Sequence, residues 1–255
     1  TYQKLLTLGT ISLVFDLLFM DKIYKLSVPV SMDDITINQY QKYIKVIEDN
    51  KDLDDPTFIN LKLLNIFCDI SMKEAYELPL DQFDYILNHL SAILSDKPDL
   101  QTRFSMTDPK GDKIEFGFIP NLDKMSLGEY IDAESYLGNW EDMHKAMSVL
   151  YRPIVAGNKD FYKIEKYETS EKYADIMKDA PCTVAIGSIL FFLSLGIELS
   201  KITLDSLLKH QETLKDQDTN KDLEKNGDGI SQYIHSQKEM YLKLTKLQKL
   251  IFTKR

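Results

Sequence analysis

The chain has 255 residues, of which 44% are hydrophobic and 28% charged, a globular composition with enough apolar residues for a sizeable core. Its net charge of −9 disfavours nucleic acid as a direct partner, because phosphate binding needs clustered Lys and Arg. The two cysteines, Cys68 and Cys182, each lie in an apolar run, which indicates buried thiols in a reducing compartment.

Residues 1–21 form an apolar N-terminal extension that is open to three interpretations. A signal peptide is one of them, with Lys4 as its basic region. Asp16 inside the apolar run and the lack of a small-residue cleavage site favour the second, a helix or strand packed on the body. Translation starting at Met20 is the third. No apolar stretch reaches the ~20 clean residues of a spanning helix, so we expect a soluble protein without a membrane partner.

Residues 22–100 are predicted to form a strand followed by a helical unit. Lys22–Val30 alternates in polarity, and Pro29 is typical of a sheet edge. A capping box at Thr36 and Gln39 predicts a helix that ends near Asn50. Further helices are expected over 58–70, shortly after a cap at Ser71, and over 80–94, and Pro56 suits a first helical position.

Residues 101–210 are predicted to combine a β-hairpin with helices. The hairpin spans Arg103–Ile119 around a tight turn at 108–111, and 160–167 alternates like a short strand. We expect these strands, together with Lys22–Val30, to form one small β element. A capping box at Ser126 and Glu129 starts one helix, and another over 140–151 is stopped by Pro153.

The most apolar stretch, 180–210, is predicted to be a long central helix. Its first half is apolar on all sides and its second half on one side, so we expect Val184–Leu195 to form the core of the fold. Gly187 and Gly196 would mark close approaches of neighbouring helices. Residues 211–229 are expected to be a polar linker and 230–255 a C-terminal helix. The predicted fold class is therefore mainly α (α+β).

Two segments resemble metal sites without completing them. Residues 224–231 resemble a calcium loop, but either register leaves His235 or Tyr233 at position 12, where a bidentate Glu is needed. Glu141 and His144 have the Glu-x-x-His spacing of di-iron helices, but no second pair exists. We therefore predict no metal, cofactor or catalytic residues, and Trp140 is expected to be a packing anchor. The alternative is a metal-dependent helical enzyme that uses Glu141, His144 and Glu198.

Three segments, 25–46, 119–154 and 180–199, together resemble proteins of tailed bacteriophages, of the tail-assembly-chaperone or virion-associated kind. The resemblance covers roughly 22–210. It implies a non-enzymatic role in assembling the particle or in its structure, through contacts with other phage structural proteins. It also implies a location in the host cytoplasm or in the virion.

Overall fold

The computed structural model describes residues 12–19, 22–52, 56–158, 161–216, 233–236, 238–243 and 245. The strands are β1 (Ser12–Phe19), β2 (Lys22–Pro29), β3 (Arg103–Thr107), β4 (Lys113–Phe118), β5 (Tyr151–Gly157) and β6 (Tyr162–Ile164). The helices are α1 (Ile37–Asp49), α2 (Pro56–Phe67), α3 (Met72–Tyr76), α4 (Leu80–Leu94), α5 (Leu127–Leu137), α6 (Met143–Leu150), α7 (Ala174–Met177) and α8 (Cys182–Asp216). The predicted α+β class, with one long apolar helix, is confirmed.

The chain divides into two compact units, Thr1–Gly187 and Ser188–Arg255, and the division falls inside α8. The predicted calcium loop at 224–231 lies outside the described residues. The predicted linker is wrong at its start, because 211–216 continue α8 as helix. Residues 233–236, 238–243 and 245 are helical, as expected for the C-terminal segment.

Local hydrogen-bond chemistry sets the helix starts. At α1 the Gln39 amide donates to Thr36 Oγ1 over 3.1 Å, while the Thr36 amide donates to Gln39 Oε1 over 2.9 Å. The same reciprocal arrangement starts α3 at Ser71 and α5 at Ser126. Such boxes satisfy two amides that the helix leaves without partners, so these predictions rest on local chemistry and are confirmed.

The first part of the unit Thr1–Gly187 packs α1–α4 and β2 around one apolar cluster. The cluster contains fully buried side chains from α2 and α4, together with both cysteines; its largest buried members include Leu26, Met32, Leu64, Phe67, Ile70 and Leu90. Cys68 and Cys182 are buried free thiols, as predicted. Burial raises the pKa of Cys68 to about 12 and that of Cys182 well above its ordinary value, so both thiols stay protonated.

The second part of this unit contains an antiparallel sheet in the order β3-β4-β5-β6. The hairpin Arg103–Ile119 is confirmed, and its turn needs Gly111, whose φ is +92°. The strand predicted at 160–167 joins the sheet as β6.

The sheet differs from the prediction in two ways. β2 does not join it, because β2 pairs with β1 in a separate two-stranded sheet. Residues 151–157 form the interior strand β5 between β4 and β6, whereas only a helix end at Tyr151 and a stop at Arg152 and Pro153 were expected there. Helix α6 ends at Leu150, before Pro153 as expected, and β5 begins at the next residue and contains Pro153.

Helix α8 begins inside the unit Thr1–Gly187. The Cys182 amide donates to the Ile35 carbonyl over 2.7 Å, and Thr183 Oγ1 donates to Asp33 Oδ1 over 2.5 Å. At Gly187 a Cβ atom would lie 2.5 Å from the Asp99 carbonyl oxygen, so a close approach is confirmed, although it is to a loop and not to a helix.

Deep burial of α8 ends earlier than predicted. Val184 and Ala185 are fully buried, but residues 189–193 are only half-buried. The prediction that the whole stretch Val184–Leu195 forms the core is therefore wrong. By length and composition alone, α8 could cross a membrane over Cys182–Lys209, and an 18-residue window within it has a mean hydropathy of 2.0. Residues 189–193 are therefore not part of the fully buried core, although they are apolar.

A candidate protein-binding face on helix α5

Helix α5 buries one charged side chain and leaves three large apolar side chains exposed. Glu129 is 8% exposed and Ala133 5%, whereas three large apolar side chains point outward: Leu127 is 74% exposed, Tyr130 55% and Ile131 50%. An ordinary surface helix has the reverse arrangement, with an apolar stripe against the core. We call Leu127, Tyr130 and Ile131 the outer face of α5.

A buried ion pair occupies the inner side of α5. Arg152, on β5, is 5% exposed, and its Nη1 lies 2.5 Å from Glu129 Oε1. The other oxygen of Glu129 accepts a hydrogen bond of 2.6 Å from the Ser126 amide, which closes the capping box. The Tyr167 ring lies 5.5 Å from the Arg152 guanidinium. One carboxylate thus ties the helix start to the interior strand of the sheet.

Burial raises the pKa of Glu129, but the hydrogen bonds from Ser126 and Arg152 outweigh it, so the pKa is lowered overall. Glu129 is therefore ionised at neutral pH and neutralised by Arg152. A carboxylate held in this state supports the position of the helix and is poorly suited to proton transfer.

The segment 165–173 covers the same inner side with further polar contacts. The Tyr167 hydroxyl donates to Asp132 Oδ2, and the Tyr173 hydroxyl donates to Glu165 Oε2 over 2.5 Å. Burial and the bond to Glu165 raise the pKa of Tyr173 to about 12, while the Tyr173 hydroxyl and Lys172 lower the pKa of Glu165. The inner side of α5 thus combines buried Ala133 with the polar contacts of Glu129 and Asp132, while Leu127, Tyr130 and Ile131 remain on the exposed side.

The residues named for the alternative enzyme face structural partners. The Glu141 carboxylate lies 3.4 Å from Lys45 Nζ, and His144 Nδ1 lies 3.0 Å from Gln41 Nε2. Burial, and then the charges of Lys178 and Lys145, lower the pKa of His144, so the imidazole is neutral at pH 7. Both Glu141 and His144 thus contact α1.

Glu198 is exposed and belongs to the unit Ser188–Arg255. Across the described part of the chain, no group of three or more His, Cys, Asp or Glu side chains is arranged to hold a metal ion. Within those residues, Glu141 and His144 therefore belong to no such group. Trp140 packs against the ring of Tyr40 at a centroid distance of 4.5 Å, as expected of a packing anchor.

The outer face of α5 was not predicted, although the sequence carries a signal for it. Leu127, Tyr130 and Ile131 have i, i+3, i+4 spacing, which would ordinarily mark the buried stripe. Glu129 and Asp132 lie on the opposite side of the same helix, and only their partners on β5 and in the segment 165–173 show which side is inside.

Comparison of the chain with protein-family models, with curated proteins and with solved structures found no match in any of the three. The resemblance to proteins of tailed bacteriophages therefore stays a prediction.

Proposed function

We propose that the chain is a non-enzymatic assembly or structural protein of a tailed bacteriophage, similar to a tail-assembly chaperone, that acts through protein–protein contacts. The observation that carries the proposal is the outer face of α5. Its three large apolar side chains are exposed while an ion pair is buried beneath the same helix.

The energetics of α5 support a covered outer face. Burying a large apolar side chain contributes ~1.5–3 kcal/mol, so leaving three of them largely in water forgoes several kcal/mol in the isolated chain. Burying an ion pair brings little compensation, because desolvation offsets most of the Coulomb attraction. A partner that covers Leu127, Tyr130 and Ile131 removes these side chains from water, so binding gains the free energy of burial that the isolated chain lacks.

The rest of the proposal follows from the resemblance and from charge. The partners would be other structural proteins of the phage particle, met in the host cytoplasm or in the virion. The net charge of −9 makes DNA an unfavourable direct partner.

A photo-crosslinking experiment tests the proposal. A photoreactive amino acid replaces Ile131 in the tagged chain, which is expressed in host cells during infection, and the crosslinked products are identified by mass spectrometry. We expect one adduct with a protein of the particle, and we expect L127S/Y130S in the same chain to abolish it. The same amino acid at Glu48, an exposed position on α1, is the control and should give no such adduct.

Leu127 and Tyr130 are largely exposed, so their replacement by serine opens no cavity and should leave the circular dichroism spectrum and the melting temperature unchanged. The proposal is wrong if Ile131 gives no protein adduct during infection. It is also wrong if the adduct survives in the L127S/Y130S chain.

A further inference from the structure

Helix α8 carries a second apolar stripe, which lies entirely within the unit Ser188–Arg255. Leu195, Leu199 and Ile202 follow each other at i, i+4 and i+7, which places them on one side of the helix. Leu199 is 55% exposed and Ile202 58%, whereas Ser200 on another side is only 6% exposed. We call these three residues the α8 stripe.

A bilayer does not fit this stripe. The part of α8 up to Gly187 is built into the other unit, so the uncharged apolar stretch that remains is 188–197, about 15 Å at ~1.5 Å per residue. The hydrocarbon core of a membrane is about 30 Å thick. Extending the span toward Lys209 brings in Glu198, Lys201 and Asp205, and each charge at the bilayer centre costs at least ~2.5–3.5 kcal/mol.

The charges beside the stripe indicate what covers it. Glu198 and Asp205 are separated by seven residues, so both lie along the same side of the stripe, and both are exposed. This is the position from which coiled-coil helices select their partners by charge. In an antiparallel pair of identical chains Glu198 would lie beside acidic residues of the second copy, which disfavours self-association in that orientation.

We propose that the α8 stripe binds an amphipathic α-helix of a partner protein, in which Lys or Arg flanks a Leu- or Ile-rich stripe. The apolar side chains of the two helices interdigitate, and the basic residues of the partner face Glu198 and Asp205. This deepens the proposed function, because it assumes that the chain acts by binding proteins, but it uses a surface separate from α5.

The test uses the full chain and two synthetic helical peptides with the same leucine stripe. One peptide has Lys beside the stripe and the other has Glu, and binding is followed by fluorescence anisotropy. We expect the Lys peptide to bind at least about tenfold more tightly than the Glu peptide, because like charges beside an interface are repulsive. We expect L199S/I202S to weaken the Lys peptide by at least about tenfold, since apolar anchors carry most of the affinity of such interfaces.

Neutralising the acidic side tests the charge argument separately. E198Q/D205N should weaken the Lys peptide by about three- to tenfold, as expected for two exposed ion pairs. The matched control, E48Q/D84N, changes the net charge equally at exposed sites on α1 and α4 and should leave the affinity unchanged. An equal loss in the control would mean unspecific charge attraction and would overturn the proposal.

Two further measurements test whether lipid or a second copy of the chain covers the α8 stripe instead. Flotation with vesicles of phosphatidylcholine and phosphatidylglycerol that is lost in L199S/I202S would show that the stripe binds lipid. Sedimentation that finds a dimer for the unaltered chain and a monomer for L199S/I202S would show that a second copy covers it. Either result overturns this proposal and leaves the α5 crosslink as the separate test of the proposed function.

Discussion

The ion pair between Arg152 and Glu129 allows a quantitative test of why α5 buries Glu129 and leaves its outer face exposed. Arg152→Met keeps an unbranched apolar side chain and removes the guanidinium, which leaves Glu129 ionised, 8% exposed and without its cation. Removing one partner of a buried ion pair costs ~3–5 kcal/mol. Glu129 keeps its bonds with Ser126, so we expect the lower end of this range, about 3 kcal/mol in the free energy of unfolding.

The double variant E129L/R152M separates charge from packing. It removes both charges at once, and replacing a buried ion pair by apolar groups is often neutral or stabilising. The lost capping bond costs about 1 kcal/mol, so the double variant should be more stable than Arg152→Met alone. Urea unfolding followed by far-ultraviolet circular dichroism at pH 7 measures all the variants.

The explanation fails if Arg152→Met costs less than about 1 kcal/mol, since the pair would then be no more than a surface ion pair. It also fails if the stability lost in the double variant equals the sum of the losses in Arg152→Met and Glu129→Leu, because additive losses mean that the two residues do not interact.

Three further predictions concern the packing around the two helices. Gly187→Ala should destabilise the chain, because the added Cβ meets the Asp99 carbonyl at 2.5 Å and overpacking costs ~1–3 kcal/mol; Gly128→Ala on α5, with no atom closer than 3.9 Å, is the control and should stabilise it by ~0.5–1 kcal/mol. Tyr167→Phe removes the hydrogen bond to the carboxylate of α5 and should cost about 1 kcal/mol in urea unfolding. The pKa of Glu129 is lower in the folded chain than its unfolded value of about 4.3, so its stabilising effect is present above that pH and is lost as the pH falls through the folded pKa; Glu129→Gln should therefore lose less stability than the unaltered chain as the pH is lowered from 7 to well below about 4.3.

Features that depend on residues close together in the chain could be predicted from the sequence. The capping boxes at Thr36, Ser71 and Ser126 and the turn at Gly111 were all identifiable, because each is made by hydrogen bonds or backbone angles within a few residues. The span of α4 followed from the 3.6-residue period of its apolar side chains.

Which surfaces face each other depends on contacts between segments that are far apart in the chain, and these contacts could not be predicted. The interior position of β5 depends on pairing with β4 and β6, and β2 pairs with a strand that could equally have been a helix by its sequence. In α5, periodicity shows that two faces exist, but the side that is buried depends on Arg152, which is distant in the sequence. In α8, apolar composition predicted a buried helix, and the structure leaves most of it half-buried or exposed, because burial depends on which other segments reach that helix and composition does not specify them.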